Sequence, residues 1–259
     1  MSCAKSTIKK KILSPISHNL PKSYGTVPEQ VLESDVLQVD YRAVANLRGG
    51  PLVIVGNLPY YITSQILFSF VDCAPVVRRA VVTMQWEVAQ RLVAKPRTSD
   101  YGILSVVFQL YARPTVAFKI PPTVFYPQPK VDSALCVIDF SPSREPFPCA
   151  AADLRRIITT SFQQRRKMLR QSLKPLLKEA AETRAAAAAA IGGDGDGGLE
   201  DGATVAAAPL VLPEEWGMRR PEELKPEEFL ELTLLVFGPR PERAEDETRV
   251  WRHAKHGDW

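Results

Sequence analysis

The sequence has few of the residues that build metal centres and histidine-dependent catalytic sites. Its three histidines all lie near the two ends of the 259-residue chain, at His18, His253 and His256. Its four cysteines show no C-x-x-C spacing and stand at Cys3, Cys73, Cys136 and Cys149. These absences exclude a His-based triad or a His-rich metal site in the middle of the chain, and we expect no metal. The cysteines are predicted to be reduced packing thiols of an intracellular protein.

Long apolar runs are also missing. No stretch approaches the roughly 20 consecutive apolar residues of a membrane helix, so no membrane partner is expected. Hydrophobic residues make up 45% of the chain and charged residues 24%, a composition typical of a soluble protein with a core. We expect a monomer. The net charge of +4 and the pI near 8.9 are compatible with an acidic partner, so the positions of the charges matter more than their sum.

The first 28 residues contain no Asp, no Glu and no Arg, but five Lys and five Ser. One interpretation is an organellar targeting segment for a plastid or mitochondrion, although such segments favour Arg. The other is a disordered basic tail on a protein of the cytoplasm or nucleolus.

Ordered sequence is predicted from Glu29 onwards, with strands and helices alternating through residues 29–147. The predicted strands are "VLESDVLQVD", "GGPLVIVGN", "RRAVVTMQ", "PTVAFKI" and "ALCVIDFSP". The predicted helices are "SQILFSFVD", with Ser64 as its cap, "WEVAQRLVA" and "YGILSVVFQLYA". This alternation predicts an α/β fold with a parallel sheet, whose last two strands form an antiparallel hairpin at one edge. Ligands of such sheets bind at the carboxyl ends of the strands.

A helical part is predicted over residues 148–238. "DLRRIITTSFQQRRKMLRQSLKPLLKEA" has apolar residues at helical spacing, and Pro226 suits the first position of a second helix in "RPEELKPEEFLELTLLVF". Low-complexity sequence at residues 181–208 predicts a disordered insertion, and residues 239–259 a loose charged tail.

The stretch "GNLPYYI" places an amide and two phenol rings where the second predicted strand leaves the sheet. An aromatic amine is a poor nucleophile because its lone pair is delocalised into the ring. The Asn57 side-chain oxygen and the Leu58 carbonyl, held out by the rigid Pro59, can accept hydrogen bonds from both of its N–H groups. Tyr60 offers a face for stacking a base, for which only the ring and not the hydroxyl is required. The alternative is a simple strand-to-turn exit, since Asn and Pro are ordinary turn residues.

Two further features favour a nucleic-acid substrate. Phe125 lies in the Pro-rich loop "FYPQPKVDSA", from which it can close on the other face of a flipped-out base; the alternative is a plain connector. Residues 153–178 hold eight basic residues against one acid. They are predicted to lie on one helix, where Arg166, Arg170 and Lys174 share one face, which indicates a phosphate-binding surface rather than a merely solvated one.

Four stretches resemble the ribosomal RNA adenine dimethyltransferase family, which includes plastid and mitochondrial members. They are "VGNLPYYITSQILF", "EVAQRLVAKPRTSDYGILSVVFQ", "VFYPQPKVDSALC" and "ITTSFQQRRKMLRQSL". The resemblance runs from about Val31 to Leu177 and resumes at "WGMRRPEELKPEEFLELT". It implies a Rossmann-like methyltransferase sheet with a helical C-terminal domain, S-adenosylmethionine as methyl donor, and two methyl transfers to N6 of adenines in small-subunit rRNA.

The resemblance also implies roles for individual residues. Asn57 to Tyr60 fall on the family's catalytic loop, with Asn57 also beside the cofactor. Phe125 falls on the base-stacking aromatic and Asp35 on the acid that contacts the adenine edge of the cofactor. The basic residues expected to face RNA are Arg165, Arg166, Lys167, Arg170 and Lys174.

The Gly-rich cofactor loop of that family, of the form E-x-G-x-G-x-G, has no counterpart here, because residues 1–28 contain a single glycine, Gly25. The two strands that would pair with the Asn57 strand on its other side are missing too, so we expect a bare apolar edge on that strand. The chain is interpreted as a piece of a longer product or a degenerate relative. It therefore encodes either an rRNA dimethyltransferase or, as the alternative, a non-catalytic rRNA-binding assembly factor.

Overall fold

The computed structural model describes residues 34–141, 147–191, 210–240 and 250–251. The basic segment 1–28, the three histidines and most of the predicted insertion lie outside these ranges. Cys73, Cys136 and Cys149 are buried thiols, as predicted, and burial raises the pKa of Cys136 to about 12. None of the helices in the described ranges is long and apolar enough to cross a membrane.

A four-stranded mixed sheet forms the centre of the fold. Its strands are β1 (Leu52–Asn57), β2 (Val77–Gln85), β3 (Arg113–Ile120) and β4 (Ser133–Asp139). The spatial order is β1-β2-β4-β3, with β1 parallel to β2 and β4 antiparallel to both of its neighbours. The expected antiparallel hairpin at one edge is therefore confirmed. The α/β architecture is confirmed as well.

Nine helices accompany the sheet within the ranges that the structure describes. They are α1 (Tyr41–Arg48), α2 (Thr63–Asp72), α3 (Trp86–Val93), α4 (Ile103–Tyr111), α5 (Ala151–Gln163), α6 (Leu169–Ser172), α7 (Lys174–Ile191), α8 (Glu214–Gly217) and α9 (Pro226–Phe237). The buried side chains of the α/β part and of the helical part form one continuous core. Pro226 begins α9 as predicted. Ser64 is not the cap of α2, because the helix begins at Thr63, whose hydroxyl donates to the Pro59 carbonyl at 2.9 Å.

The predicted first strand, "VLESDVLQVD", is wrong over residues 34–40, and its residues 31–33 lie outside the described ranges. Asp35 precedes a short 3-10 helix, Val36–Gln38, and its carboxylate accepts the Leu37 N–H at 3.0 Å. The carboxylate of Asp40 then caps α1 in the same way. Acidic side chains that accept nearby backbone N–H groups favour turns and helix starts over extended chain, and no strand in the described ranges pairs with this segment.

The outer edge of β1 carries no partner strand within the described ranges. Val53 and Val55 on this strand are 59% and 76% exposed. Among the described residues, β1 is thus an edge strand with exposed valine side chains.

The basic stretch after residue 153 is not one helix. α5 ends at Gln163, a turn follows, and α6 and α7 begin at Leu169 and Lys174. Arg166 lies in the turn, so the predicted row of Arg166, Arg170 and Lys174 along a single helix face is wrong. Pro175 explains the second break, since proline suits only the first turn of a helix.

Two predicted disordered segments contain ordered residues. α7 continues to Ile191, so the insertion predicted from residue 181 begins inside a helix. The tail predicted from residue 239 returns to the core at Val250 and Trp251. Trp251 is 1% exposed, stacks on Phe68 with ring centroids 5.9 Å apart, and donates its backbone N–H to Asp72 at 2.8 Å. Composition indicated a loose tail because most residues of this segment are charged or polar, and composition does not show that a single aromatic, Trp251, is buried.

Candidate active site and basic surface

The loop after β1 lies at the carboxyl edge of the two parallel strands. Asn57 pairs in register with Thr83 of β2. The next backbone N–H, of Leu58, donates to the Thr83 carbonyl at 2.9 Å, and the Leu58 side chain is buried. The loop then turns through the 3-10 helix Tyr60–Ile62 into α2. The sheet therefore fixes the backbone on both sides of the amide.

The Asn57 side chain is exposed at this edge. Its oxygen accepts a hydrogen bond from the Thr83 hydroxyl. A carbonyl oxygen has two lone pairs, so this bond orients the amide and leaves acceptor capacity on the same atom. Sequence reasoning missed Thr83, because its relation to Asn57 follows from strand register and from no local motif.

Tyr60 is anchored to the other side of the same edge. Its hydroxyl and the Ser133 hydroxyl share a hydrogen bond of 2.6 Å, and Ser133 is fully buried at the start of β4. The Tyr60 ring is half-buried, whereas Tyr61 is 72% exposed. The hydroxyl of Tyr60 thus has a structural contact that the sequence-based expectation did not include.

Phe125 reaches this edge through the connection between β3 and β4. Ile120, the last residue of β3, pairs with Ser133, so residues 121–132 lie at the same end of the sheet as Asn57. Phe125 is partly exposed, and its N–H donates to the Pro122 carbonyl at 3.2 Å. Among the described residues no ring contact joins Phe125 to Tyr60. The structure thus places the two aromatics at one edge without stacking them on each other.

Asp35 precedes the 3-10 helix that packs against α2. No hydrogen bond of the described residues joins it to the Asn57 loop. The residues present fit only one side of S-adenosylmethionine, namely the loop at the reacting end and an acid for the adenine edge. They do not fit its ribose and methionine parts, because the sequence upstream of Asp35 offers a single glycine and no Gly-rich turn for close backbone approach.

The predicted RNA-facing cations separate into two groups. Arg166, Lys167, Arg170 and Lys174 are exposed, and no ion pair within the described part of the chain involves them. Arg165 differs, because its guanidinium bonds to the Glu222 carboxylate at 2.9 Å. Three other cations of the stretch are engaged as well: Arg155 donates to the Val250 carbonyl, Arg156 pairs with Glu179, and Lys178 lies 3.8 Å from Glu182.

Two cavities border the exposed cations. One, of about 710 Å³, is lined by Arg165, Arg166 and Lys167 together with Ser99 and Arg220. The other, of about 1270 Å³, is mostly apolar, with Arg170 and Lys174 among its lining residues. The structure therefore brings the first three predicted residues to one surface and the other two to another.

Arg219 is a basic residue that sequence reasoning did not select. Its guanidinium forms a two-point ion pair with Glu228, at 2.6 and 2.9 Å. The bonds to Glu228 raise the pKa of Arg219 and lower that of the carboxyl group. Its backbone carbonyl accepts the Leu169 N–H at 2.9 Å, so Arg219 joins α6 to α9. In the sequence, Arg219 and Glu228 are nine residues apart, and this spacing does not by itself predict an ion pair.

Comparisons with known proteins identify the family of the chain. A family model described as "Ribosomal RNA adenine dimethylase" matches residues 10–193. A ribosomal RNA small subunit methyltransferase A from Salinibacter ruber is 44% identical over 209 residues, covering 79% of this chain and 61% of that protein. Its namesake from Paracidovorax citrulli is 46% identical over 154 residues, covering 59% of each. The chain thus spans about three fifths of the length of these curated relatives.

The fold is similar to a crystal structure of a dimethyladenosine transferase from Plasmodium falciparum. The TM-score is 0.56 at 21% identity, and the match covers 72% of this chain and 68% of that one. This likeness supports the methyltransferase-type α/β architecture. Because the family model covers well over half of the sequence, the chain belongs to the ribosomal RNA adenine dimethylase family.

Proposed function

We propose that the protein is an S-adenosylmethionine-dependent rRNA methyltransferase that dimethylates N6 of adenines in small-subunit rRNA. The observation that carries this proposal is the exposed Asn57 amide, oriented by Thr83 at the carboxyl edge of the sheet, in a chain of this family. The curated relatives are methyltransferases by name, which does not favour the alternative of a non-catalytic assembly factor.

Asn57 and Leu58 would act on the amine of the target adenine. The Asn57 oxygen accepts one N–H of the amine and the Leu58 carbonyl accepts the other, which favours a nitrogen whose lone pair is free to attack. Thr83 holds both residues in place, because its hydroxyl donates to the Asn57 side-chain oxygen and its carbonyl accepts the Leu58 N–H. Groups that are already in place need little rearrangement as charge develops on the nitrogen, which is the usual source of electrostatic catalysis.

Tyr60 and Phe125 would hold the adenine outside its helix. Base stacking on an aromatic ring contributes about 1–3 kcal/mol per base, and an enzyme that modifies a base inside a duplex must first extrude it. The Ser133 bond fixes the Tyr60 ring, while Phe125 lies on the connection between β3 and β4 at the same end of the sheet. The exposed cations would bind the phosphates around the extruded nucleotide.

The cofactor part of the proposal depends on residues that this chain lacks. S-adenosylmethionine supplies the methyl group, and we expect the 259-residue chain alone to bind it weakly because it has no Gly-rich loop. Calorimetric titration measures this affinity. Micromolar binding by the purified chain would contradict the expectation and show that other residues replace the loop.

The catalytic part is tested in a chimaera in which the N-terminal part of the Salinibacter ruber relative precedes residue 34. Single-turnover methylation of small-subunit rRNA is compared for the parent, Asn57→Ala and Tyr60→Ala. Loss of one preorganised contact costs about 10²–10³ in rate, so Asn57→Ala should methylate that much more slowly with RNA affinity unchanged. Tyr60→Ala should also bind the substrate more weakly. A parent rate for Asn57→Ala would mean that the loop is only a turn.

A further inference from the structure

We propose that Arg165 is a positioning residue rather than an RNA contact: it holds the turn that bears Arg166 and Lys167 so that these two cations face the rRNA. This inference rests on the proposed function, since it concerns the same RNA surface. It revises the expectation that all three basic residues of this triplet bind phosphate.

Each of the three nitrogens of the Arg165 guanidinium donates a hydrogen bond within the protein. Nε donates to the Glu222 carboxylate at 2.9 Å, Nη1 to the Ser99 carbonyl at 2.7 Å and Nη2 to the Thr98 carbonyl at 2.8 Å. We call the group formed by Arg165, Glu222, Ser99 and Thr98 the clasp. The planar guanidinium has five N–H groups in fixed directions, of which three are used here. A phosphate bound at two points through Nε would require the bond to Glu222 to break, because Nε has a single N–H.

The clasp joins three parts of the chain that are distant in sequence. Arg165 lies just after α5, Thr98 and Ser99 lie between α3 and α4, and Glu222 lies in the 3-10 helix before α9. A second hydrogen bond joins the loop between α3 and α4 to Glu222, because the Arg97 N–H donates to the Glu222 backbone carbonyl at 2.7 Å. Arg97 has φ of 68°, a left-handed conformation that non-glycine residues rarely adopt, so surrounding bonds must hold it.

The side chains of Arg166 and Lys167, the next two residues, point to solvent, unlike that of Arg165. Arg166 and Lys167 are exposed, and the Lys167 N–H closes the turn by donating to the Gln164 carbonyl at 2.7 Å. Both line the cavity of about 710 Å³ that Ser99 also borders. Fixing Arg165 therefore fixes the direction in which the next two side chains leave the surface.

The experiment measures binding of the full chain to a fluorescent transcript of the 3′ part of small-subunit rRNA, over a range of salt concentrations. Arg165→Lys and Glu222→Asp both keep their charge but cannot form the three-way bond. Arg166→Lys and Arg166→Ala are the matched controls. A lysine still binds phosphate as a point charge but does not reproduce the fork.

The clasp predicts weaker binding with an unchanged salt slope for Arg165→Lys and for Glu222→Asp. If the hydrogen bonds of the clasp are formed in about a third of the molecules of either variant, the apparent affinity for RNA falls about threefold. The double variant should be no weaker than the weaker single variant, because both break the same unit. Arg166→Lys should bind nearly as the parent does. Arg166→Ala should lower the slope of log K against log salt by about 0.7–0.9, a loss of about five- to eightfold at about 0.1 M salt.

Other results would overturn the inference. If Arg165 contacts phosphate, Arg165→Lys should bind as well as Arg166→Lys does, and Glu222→Asp should leave binding unchanged or tighten it by releasing the guanidinium. Thermal unfolding of each variant establishes that the folded protein is being compared. A parent chain that binds the transcript without salt dependence, with Arg166→Ala equal to it, would instead refute the RNA surface and the proposed function with it.

Discussion

The hydrogen bond between Tyr60 and Ser133 provides a direct test of how the candidate loop is held. Tyr60→Phe removes one oxygen and keeps the ring, and Ser133→Ala removes the partner. From the sequence alone, Tyr60→Phe should be mild, because only the ring face would matter for stacking a base. The structure predicts a measurable loss of stability, since the hydroxyl ties the loop after β1 to the first residue of β4.

The two changes should differ in size. Ser133 is fully buried, so Tyr60→Phe leaves its hydroxyl without a partner, which costs about 1–3 kcal/mol of unfolding free energy. Tyr60 is only half-buried, so after Ser133→Ala water can reach its hydroxyl and the loss should be about 0.5–1.5 kcal/mol. The double variant leaves no buried group unpaired. Its loss should therefore be smaller than the sum of the two single losses.

Urea unfolding of the parent and the three variants measures these free energies. The midpoints should shift while the slope with urea stays constant, which shows that the change is in stability and not in the denatured state. A Tyr60→Phe variant within about 0.3 kcal/mol of the parent, or strictly additive losses, would refute the reasoning. In the chimaera, Tyr60→Phe should also slow methylation, because a ring that is free to tilt stacks a base less well.

Three further predictions concern stability. Trp251→Ala should lower the unfolding free energy by about 3–5 kcal/mol, and Trp251→Phe by clearly less, because the ring stacks on Phe68 in the core; equal, small losses in urea unfolding would contradict the packing. Ser161→Ala should be neutral or stabilising in the same assay, since the Ser161 hydroxyl is buried and has no hydrogen-bond partner in the part of the chain that the structure describes. Bonds from the Ser141 hydroxyl and N–H, and then from Arg79, lower the pKa of Asp139 to about 2. This pKa is below the ordinary Asp value of about 3.9, so the ionised Asp139 contributes its full stabilisation above about pH 4 and loses it as the pH falls toward 2. In Asp139→Asn, the free energy of unfolding should therefore depend less on pH between about pH 4 and 2.

The sheet could be predicted from the sequence because its information is local. Runs of Val, Ile and Ala mark β2 and β4, and the short connection without a helix between β3 and β4 indicates their antiparallel pairing. "GNLPYYI" was placed correctly at the carboxyl edge for the same reason, since its position follows from the strand that precedes it. Helix-forming periodicity likewise located α3, α4 and α9.

The failures share a different cause, which is that the deciding partner lies far away in sequence. Thr83 meets Asn57 through strand register, and Arg165 meets Glu222 across 57 residues. Trp251 enters the core 179 residues after Asp72, which accepts its N–H. A basic run cannot reveal which of its members are turned inward, because burial is decided by the packing of other elements. Charge counting therefore overestimated how many cations of this stretch lie outside ion pairs of the described residues.

The contacts that hold the candidate loop all come from the inner side of the sheet. Asn57 and Leu58 are bonded to Thr83 of β2, and Tyr60 to Ser133 of β4. None of these bonds involves the outer edge of β1, where Val55 is exposed. The backbone hydrogen-bonding groups of successive strand residues point alternately to the two edges of the strand. A strand that paired with the outer edge of β1 would therefore form new hydrogen bonds without replacing those to Thr83 and Ser133. Under the proposed function, the acceptor groups offered to the substrate amine are therefore positioned by β2 and β4. Under this proposal, the substrate side of the site does not need the outer edge of β1 to be paired.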